Sequence, residues 1–267
     1  MNVIWAIFIL HIRDANASKG LLFTFLLLLR SVDSFSQNNN SLRSIDKLVD
    51  TTESGWDLVQ KWVHNAKNDV VVLPHDSSKA KEVLYHTQVT TRSPMGAIIY
   101  YTGGLMIDHG WIRILGGGCS IMERSIPEWN KGKSFKEYGE KPPFLLIGDD
   151  AVGGFFAING GALGPALGKV FYLSPDALKW EEIADSYTEF LHFVFNGDLN
   201  KFYKGLRWKS WLADVSKLGG DDVFSFYPFL WTYRGKNINK DIRKAVPVEG
   251  QYELNMGFIQ EMNGNAK

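Results

Sequence analysis

The sequence predicts an α+β fold: an antiparallel sheet core with helices on its N-terminal and C-terminal sides. Three observations carry this reading. Residues 44–88 place apolar positions mostly at helical spacing, residues 96–181 consist of short apolar runs between Gly, Pro and Asp turns, and residues 186–218 return to helical spacing. Helices segregated from strands argue against an alternating α/β chain. No internal repeat or long linker interrupts the pattern. A single domain is therefore expected over about residues 42–250, with a weakly patterned tail over 251–267.

Each element follows from local chemistry. Ser44 precedes a short helical segment, and Trp56, Val59, Trp62, Val63 and Ala66 form the inner face of a second helix. Val70–Leu73 reads as a strand ended by Pro74, and Asp76 caps a third helix reaching about Gln88. Gly96–Tyr101 and Leu105–Ile107 read as a hairpin, followed by a strand at Trp111–Leu115. Residues 116–141 read as a long loop with little structure. Phe144–Asn159 reads as a hairpin whose turn uses Gly148, Asp149, Asp150, Gly153 and Gly154. Lys169–Leu173 and Ala177–Glu181 add strands. Ser186 and Glu189 form a capping-box pattern at the start of a helix to Phe195, and Asp198 caps the next, Leu199 to Leu206. Trp208–Leu218 predicts a further helix, and Phe224–Thr232 a final core strand or an extended segment.

The N-terminus differs from the rest. Lys19, the apolar run Leu21–Leu29 and the polar stretch to Gln37 together read as a secretory signal over residues 1–37, with a possible over-extended start. The run falls short of the roughly 20 apolar residues of a bilayer span. An uncleaved anchor and a buried helix are the alternatives. Export to the periplasm or medium is the expectation, a cytoplasmic location the alternative if the start is mis-assigned, and no stable membrane span remains once the segment is cleaved.

The chain has 29 basic and 29 acidic residues and a formal net charge of zero, which argues against a nucleic-acid partner. Its one cysteine, Cys119, rules out an intrachain disulfide and reads as a loop residue. No phosphate loop, nucleophile elbow or His-based metal motif is present, so no catalytic residue, cofactor or metal ligand is assigned. The candidate binding residues are Asp108, His109, Trp111, Trp129, Asp149 and Asp150. Asp149 and Asp150 read first as solvated hairpin acids. Asp108 and His109, beside Arg113, could form a polar site at a strand end. Trp111 and Trp129 are placed freely enough to be surface residues, and Trp129 is the better anchor. Trp56, Trp62, Trp208 and Trp211 fall on apolar helical faces and read as core.

Residues Thr90–Tyr100, Ile107–Gly116, Phe144–Gly164, Gly197–Trp208 and Phe226–Thr232 resemble an uncharacterised bacterial family known as a domain of unknown function. More loosely, Leu146–Ile158, Val170–Leu173 and Trp180–Leu191 are similar to the SUKH superfamily, α+β domains of which many are immunity proteins that neutralise toxins. That resemblance implies a non-catalytic scaffold with a toxin-like protein partner. Its binding face is expected on the sheet and the 116–141 loop. The alternative is an exported hydrolase or carbohydrate-binding protein using Asp108, His109, Asp149, Asp150 and surface aromatics, and those groups would then converge in one cleft.

Overall fold

The computed structural model describes residues 42–264, so the signal-like segment lies outside the described residues. The described residues share one hydrophobic core. Its centre is a seven-stranded antiparallel sheet in sequence order: β1 (Val70–Val72), β2 (Gly104–Ile107), β3 (Ile112–Leu115), β4 (Phe144–Asp150), β5 (Phe155–Asn159), β6 (Val170–Leu173) and β7 (Trp180–Ala184). Most neighbours are joined by short connections, as an antiparallel meander allows, but residues 73–103 carry two helices between β1 and β2, and residues 116–143 separate β3 from β4. Helices precede and follow the sheet core, which makes the fold α+β.

The helices before the sheet and within its first half are α1 (Ile45–Leu48), α2 (Gly55–His64), α3 (Ser77–Thr87) and α4 (Pro94–Tyr101), with α5 (Ile126–Asn130) between β3 and β4. Asp76 caps α3 by accepting from the Ser78 amide at 3.0 Å. Helix α4 replaces the strand expected at Gly96–Tyr101. Ser93 caps it, accepting from the Gly96 amide at 3.1 Å, and Pro94 occupies the first turn. Met95 to Ile99 are all buried, so the helix shows no amphipathic period, and its Ile-Ile-Tyr-Tyr run imitates a strand.

After the sheet come α6 (Tyr187–Asn196), α7 (Leu199–Phe202) and α8 (Trp211–Val215). Ser186 accepts from the Glu189 amide at 3.2 Å and Asp198 from that of Lys201 at 2.9 Å, the two caps expected from sequence. Helices α7 and α8 are shorter than their predicted spans. A two-stranded ribbon then pairs β8 (Asp222–Tyr227) with β9 (Ile242–Pro247), and α9 (Val248–Gly264) closes the described chain. The tail predicted to be weakly patterned is therefore a helix. It buries Val248, Gln251, Tyr252 and Asn255, and Asn255 donates to the Gly153 carbonyl at 3.0 Å.

The loop expected over 116–141 is folded onto the sheet. Ile126, Pro127, Trp129 and Asn130 of α5 are buried. Asn130 receives the Leu146 amide at 2.8 Å and donates to the Leu146 carbonyl at 2.8 Å, so a side chain extends the ladder of β4. Among the described residues no helix is long and apolar enough to cross a membrane.

Candidate functional site

Strand β4 runs through Asp149 and Asp150, so these acids lie inside the sheet rather than in the turn. Both are completely buried, which overturns their expected place as solvated hairpin acids. Consecutive strand residues point to opposite faces, and each carboxylate has its own surroundings. Asp149 lies opposite Arg113 of β3 in the sheet register, and the two pair at 2.6 Å. Arg124 reaches the other oxygen of Asp149 at 2.6 Å and Asp221 at 2.7 Å. Its remaining nitrogen donates to the Gly220 carbonyl at 2.9 Å, and Arg113 donates to the Asp222 carbonyl at 2.9 Å. Burial disfavours the charged Arg124 guanidinium, but Asp149 and Asp221 outweigh this and hold its pKa above the usual arginine value. The network ties the sheet to the segment leading into β8. Arg113 is thus committed to Asp149 rather than to Asp108 and His109.

On the opposite face Asp150 accepts from the Tyr172 hydroxyl at 2.6 Å and from the Gly154 and Val152 amides at 2.8 and 3.1 Å. Burial pushes its carboxyl above the usual aspartate range against the pull of these donors. Burial, and then the neighbouring carboxylate, raise Tyr172 well above the usual tyrosine value. Gly154 is required here: a Cβ would stand 2.5 Å from the Tyr172 oxygen and 2.6 Å from Asp150 Oδ2. Gly153 before it takes a φ of +81°, which completes the tight turn.

Asp108 and His109 sit in the β2–β3 turn with φ values of +54° and +59°. Asp108 pairs with Arg207, whose guanidinium lies 4.2 Å from the Trp211 ring centroid and 4.8 Å from that of Trp111. Trp111 is fully buried, not a surface residue. His109 is exposed, with Nδ1 3.7 Å from an oxygen of Asp69. The turn lies at the same sheet end as Asp149 and Asp150, since the Ala151 amide donates to the Trp111 carbonyl at 2.8 Å. Both acids are nevertheless sealed inside, so the four polar candidates do not line one open cleft.

Trp129, expected as the best surface anchor, is 3% exposed. Its ring lies 4.7 Å from the Arg124 guanidinium and 4.1 Å from the Lys133 ammonium, and it meets Tyr252 at 6.0 Å. Those partners come from the segments on either side of α5 and from α9, and no periodicity announces them. Among the described residues no group of three or more His, Cys, Asp or Glu is placed to hold a metal ion.

The accessible chemistry lies on the β8–β9 ribbon; the strand expected from Phe224 corresponds to β8, but β9 and the exposed end of the pair were not read from the sequence. Tyr227 and Ile242 are partners at its open end, 68% and 71% exposed, and the connection between them carries Tyr233 at 90%. Arg234, Lys240 and Lys244 are exposed around these residues. A cleft of about 540 Å³ runs between the ribbon and α8, lined by Ser210, Asp214, Lys217, Phe224, Asp241 and Arg243 among others. The one available signal was Arg234-Gly-Lys-Asn-Ile-Asn-Lys-Asp-Ile-Arg-Lys244, a cation-rich run in a chain of zero net charge.

The family model described as "Protein of unknown function DUF2625" matches residues 45–251. An uncharacterised protein of Haemophilus influenzae is 44% identical over 214 residues, covering 80% of this chain and 94% of that protein. The uncharacterised protein YbfG of Escherichia coli K12 is 39% identical over 220 residues, covering 82% of this chain and all of that protein. No solved structure matches. The chain belongs to the DUF2625 family.

Proposed function

We propose that the protein is a non-catalytic protein-binding module that docks an acidic partner on the open end of the β8–β9 ribbon. The observation that carries this is Tyr227, Tyr233 and Ile242, each more than two-thirds exposed, amid Arg234, Lys240 and Lys244. Large exposed apolar side chains grouped together mark interaction sites, and tyrosine is among the commonest interface anchors. The surrounding cations favour a partner with carboxylates around an apolar centre. The burial of Asp149 and Asp150 removes two of the four groups that a hydrolase built on the sequence candidates would use.

The partner class we favour is a toxin that the module neutralises. Support comes from the similarity of Leu146–Ile158 and Trp180–Leu191 to the SUKH superfamily. The Lys19–Gln37 pattern supports export, which would place that partner outside the cytoplasm. Intact mass of the protein from cell fractions tests export: a chain starting near Gln37 supports it, and a cytoplasmic chain retaining earlier residues contradicts it.

The docking surface is tested by placing a photocrosslinking amino acid at Lys244, beside the patch, or at Glu181, on β7, in cells of the source organism. A discrete protein adduct from position 244 that is absent from position 181 is expected. Equal adducts from both positions, or none from position 244, would overturn the proposal.

A further inference from the structure

Asp241 is 8% exposed, and its Oδ2 has no hydrogen-bond partner. A buried carboxylate without a donor is unfavourable, and the usual remedy is a proton or a cationic partner. Arg243, two residues on, acts on Asp241 through its charge but makes no hydrogen bond to it. It donates to the Ile238 carbonyl at 3.3 Å, lies 3.6 Å from Asp214, and stacks over Trp208 at 4.6 Å. Asp214 is satisfied in turn, accepting from the Trp208 indole at 2.5 Å and the Ser210 hydroxyl at 2.9 Å. Those hydrogen bonds hold its carboxyl below the usual aspartate range.

Asp241 and Lys217 both line the cleft between α8 and the ribbon. Asp214 pairs there with Arg243 at 3.6 Å and also feels the charge of Lys217. Lys217 pairs with no carboxylate among the described residues. Asp241 and Lys217 therefore each lack a direct ion-pair partner in a cleft also lined by Phe224, Leu218 and Ala245, although burial raises the Asp241 carboxyl above its ordinary value against the pull of the Arg243 charge. A simple cation would satisfy Asp241 but meet repulsion from Lys217 and Arg243, and a simple anion the reverse. A ligand carrying both charges meets neither conflict. The volume, about 540 Å³, lies within the range of small-ligand sites.

We propose that this cleft binds a small zwitterion, an amino acid or short peptide, with its ammonium on Asp241 and its carboxylate on Lys217. Zwitterion binding does not rest on the protein-docking reading, although the cleft borders that surface.

The test is a titration followed by amide ¹H–¹⁵N spectra, with L-alanine and L-alanyl-L-alanine as zwitterionic probes. Ethylammonium and propionate serve as single-charge controls. Saturable shifts at Asp241, Lys217 and the Trp208 indole are expected from at least one zwitterion. Asp241→Asn and Lys217→Ala should each weaken that binding by about tenfold, the effect of losing roughly 1.4 kcal/mol. Lys217 is exposed, so its variant carries the test if Asp241→Asn disturbs folding. No saturable shift from either zwitterion, equal affinity for a single-charge control, or unchanged affinity in the folded variants would overturn the proposal.

Discussion

The sealed end of the seven-stranded sheet and the open face of the β8–β9 ribbon use the same residue types to opposite ends. At the sheet, Arg113, Arg124, Asp149 and Asp221 pair at 2.6–2.7 Å, and the Trp129 ring lies 4.7 and 4.1 Å from two cations. On the ribbon, Asp241 has an oxygen without a donor, and Tyr227, Tyr233 and Ile242 face water. The chemistry of a side chain therefore does not identify a site in this chain. What separates the two regions is exposure: Arg113 Nε and Nη1 and the Trp129 indole nitrogen are also without partners but are sealed from water, whereas the aromatic and cationic side chains of the ribbon face it. The first region holds the fold together, and the second is open to a partner.

The sharpest break of that contrast is at Asp149. Asp149→Asn keeps the shape but leaves two buried guanidinium groups without their shared anion. We expect a loss of about 3–5 kcal/mol, read as a lowered urea midpoint. Trp129→Ala should lose about 3 kcal/mol or more by emptying a core position. A surface anchor at this position would change stability by no more than about 0.5 kcal/mol.

Asp150 tests the sealed region by pH. Its folded pKa is raised by burial, so the folded state holds a proton that the unfolded state releases. Its contribution is greatest below the ordinary aspartate value, near pH 4, and is lost as pH rises through the folded pKa. Wild-type stability relative to Asp150→Asn should therefore increase as pH falls into that window. A difference that stays flat or shrinks on acidification contradicts the assignment. The smallest effect on folding belongs to the ribbon: Tyr233→Ser should move the midpoint by no more than about 0.5 kcal/mol.

The comparison also explains what could be read from the chain. Helices α3, α6 and α7 were legible because Asp76, Ser186 and Asp198 cap them with bonds only two or three residues long. The core strands were legible because turn residues bound them, except that β7 starts at Trp180 rather than at Ala177, since Leu178 takes a φ of +50° in the preceding turn. Helix α4 was not, since burial on all sides erased its period. Helix α9 was not, because two of its buried positions, Gln251 and Asn255, are polar and the inward stripe does not read as apolar. Strand β9 carries Arg243 and Lys244 in place of an alternating apolar pattern. The burial of Asp149 depends on Arg113 and Arg124 far away in sequence, so two adjacent acids looked like a wet turn. Asp108 and His109 were placed correctly in a turn, but Arg207, the partner of Asp108, lies beyond any local window.

The most direct test of the division between a closed framework and an open binding face combines two readings on one protein. In cells of the source organism, the chain carrying the photocrosslinker at Lys244 is compared with the same chain bearing Tyr227→Ser and Tyr233→Ser, and the urea midpoint of the purified double variant is measured. We predict loss of the protein adduct with a midpoint shift of no more than about 1 kcal/mol, the sum of two surface changes. An adduct that persists undiminished in the folded double variant would contradict the account.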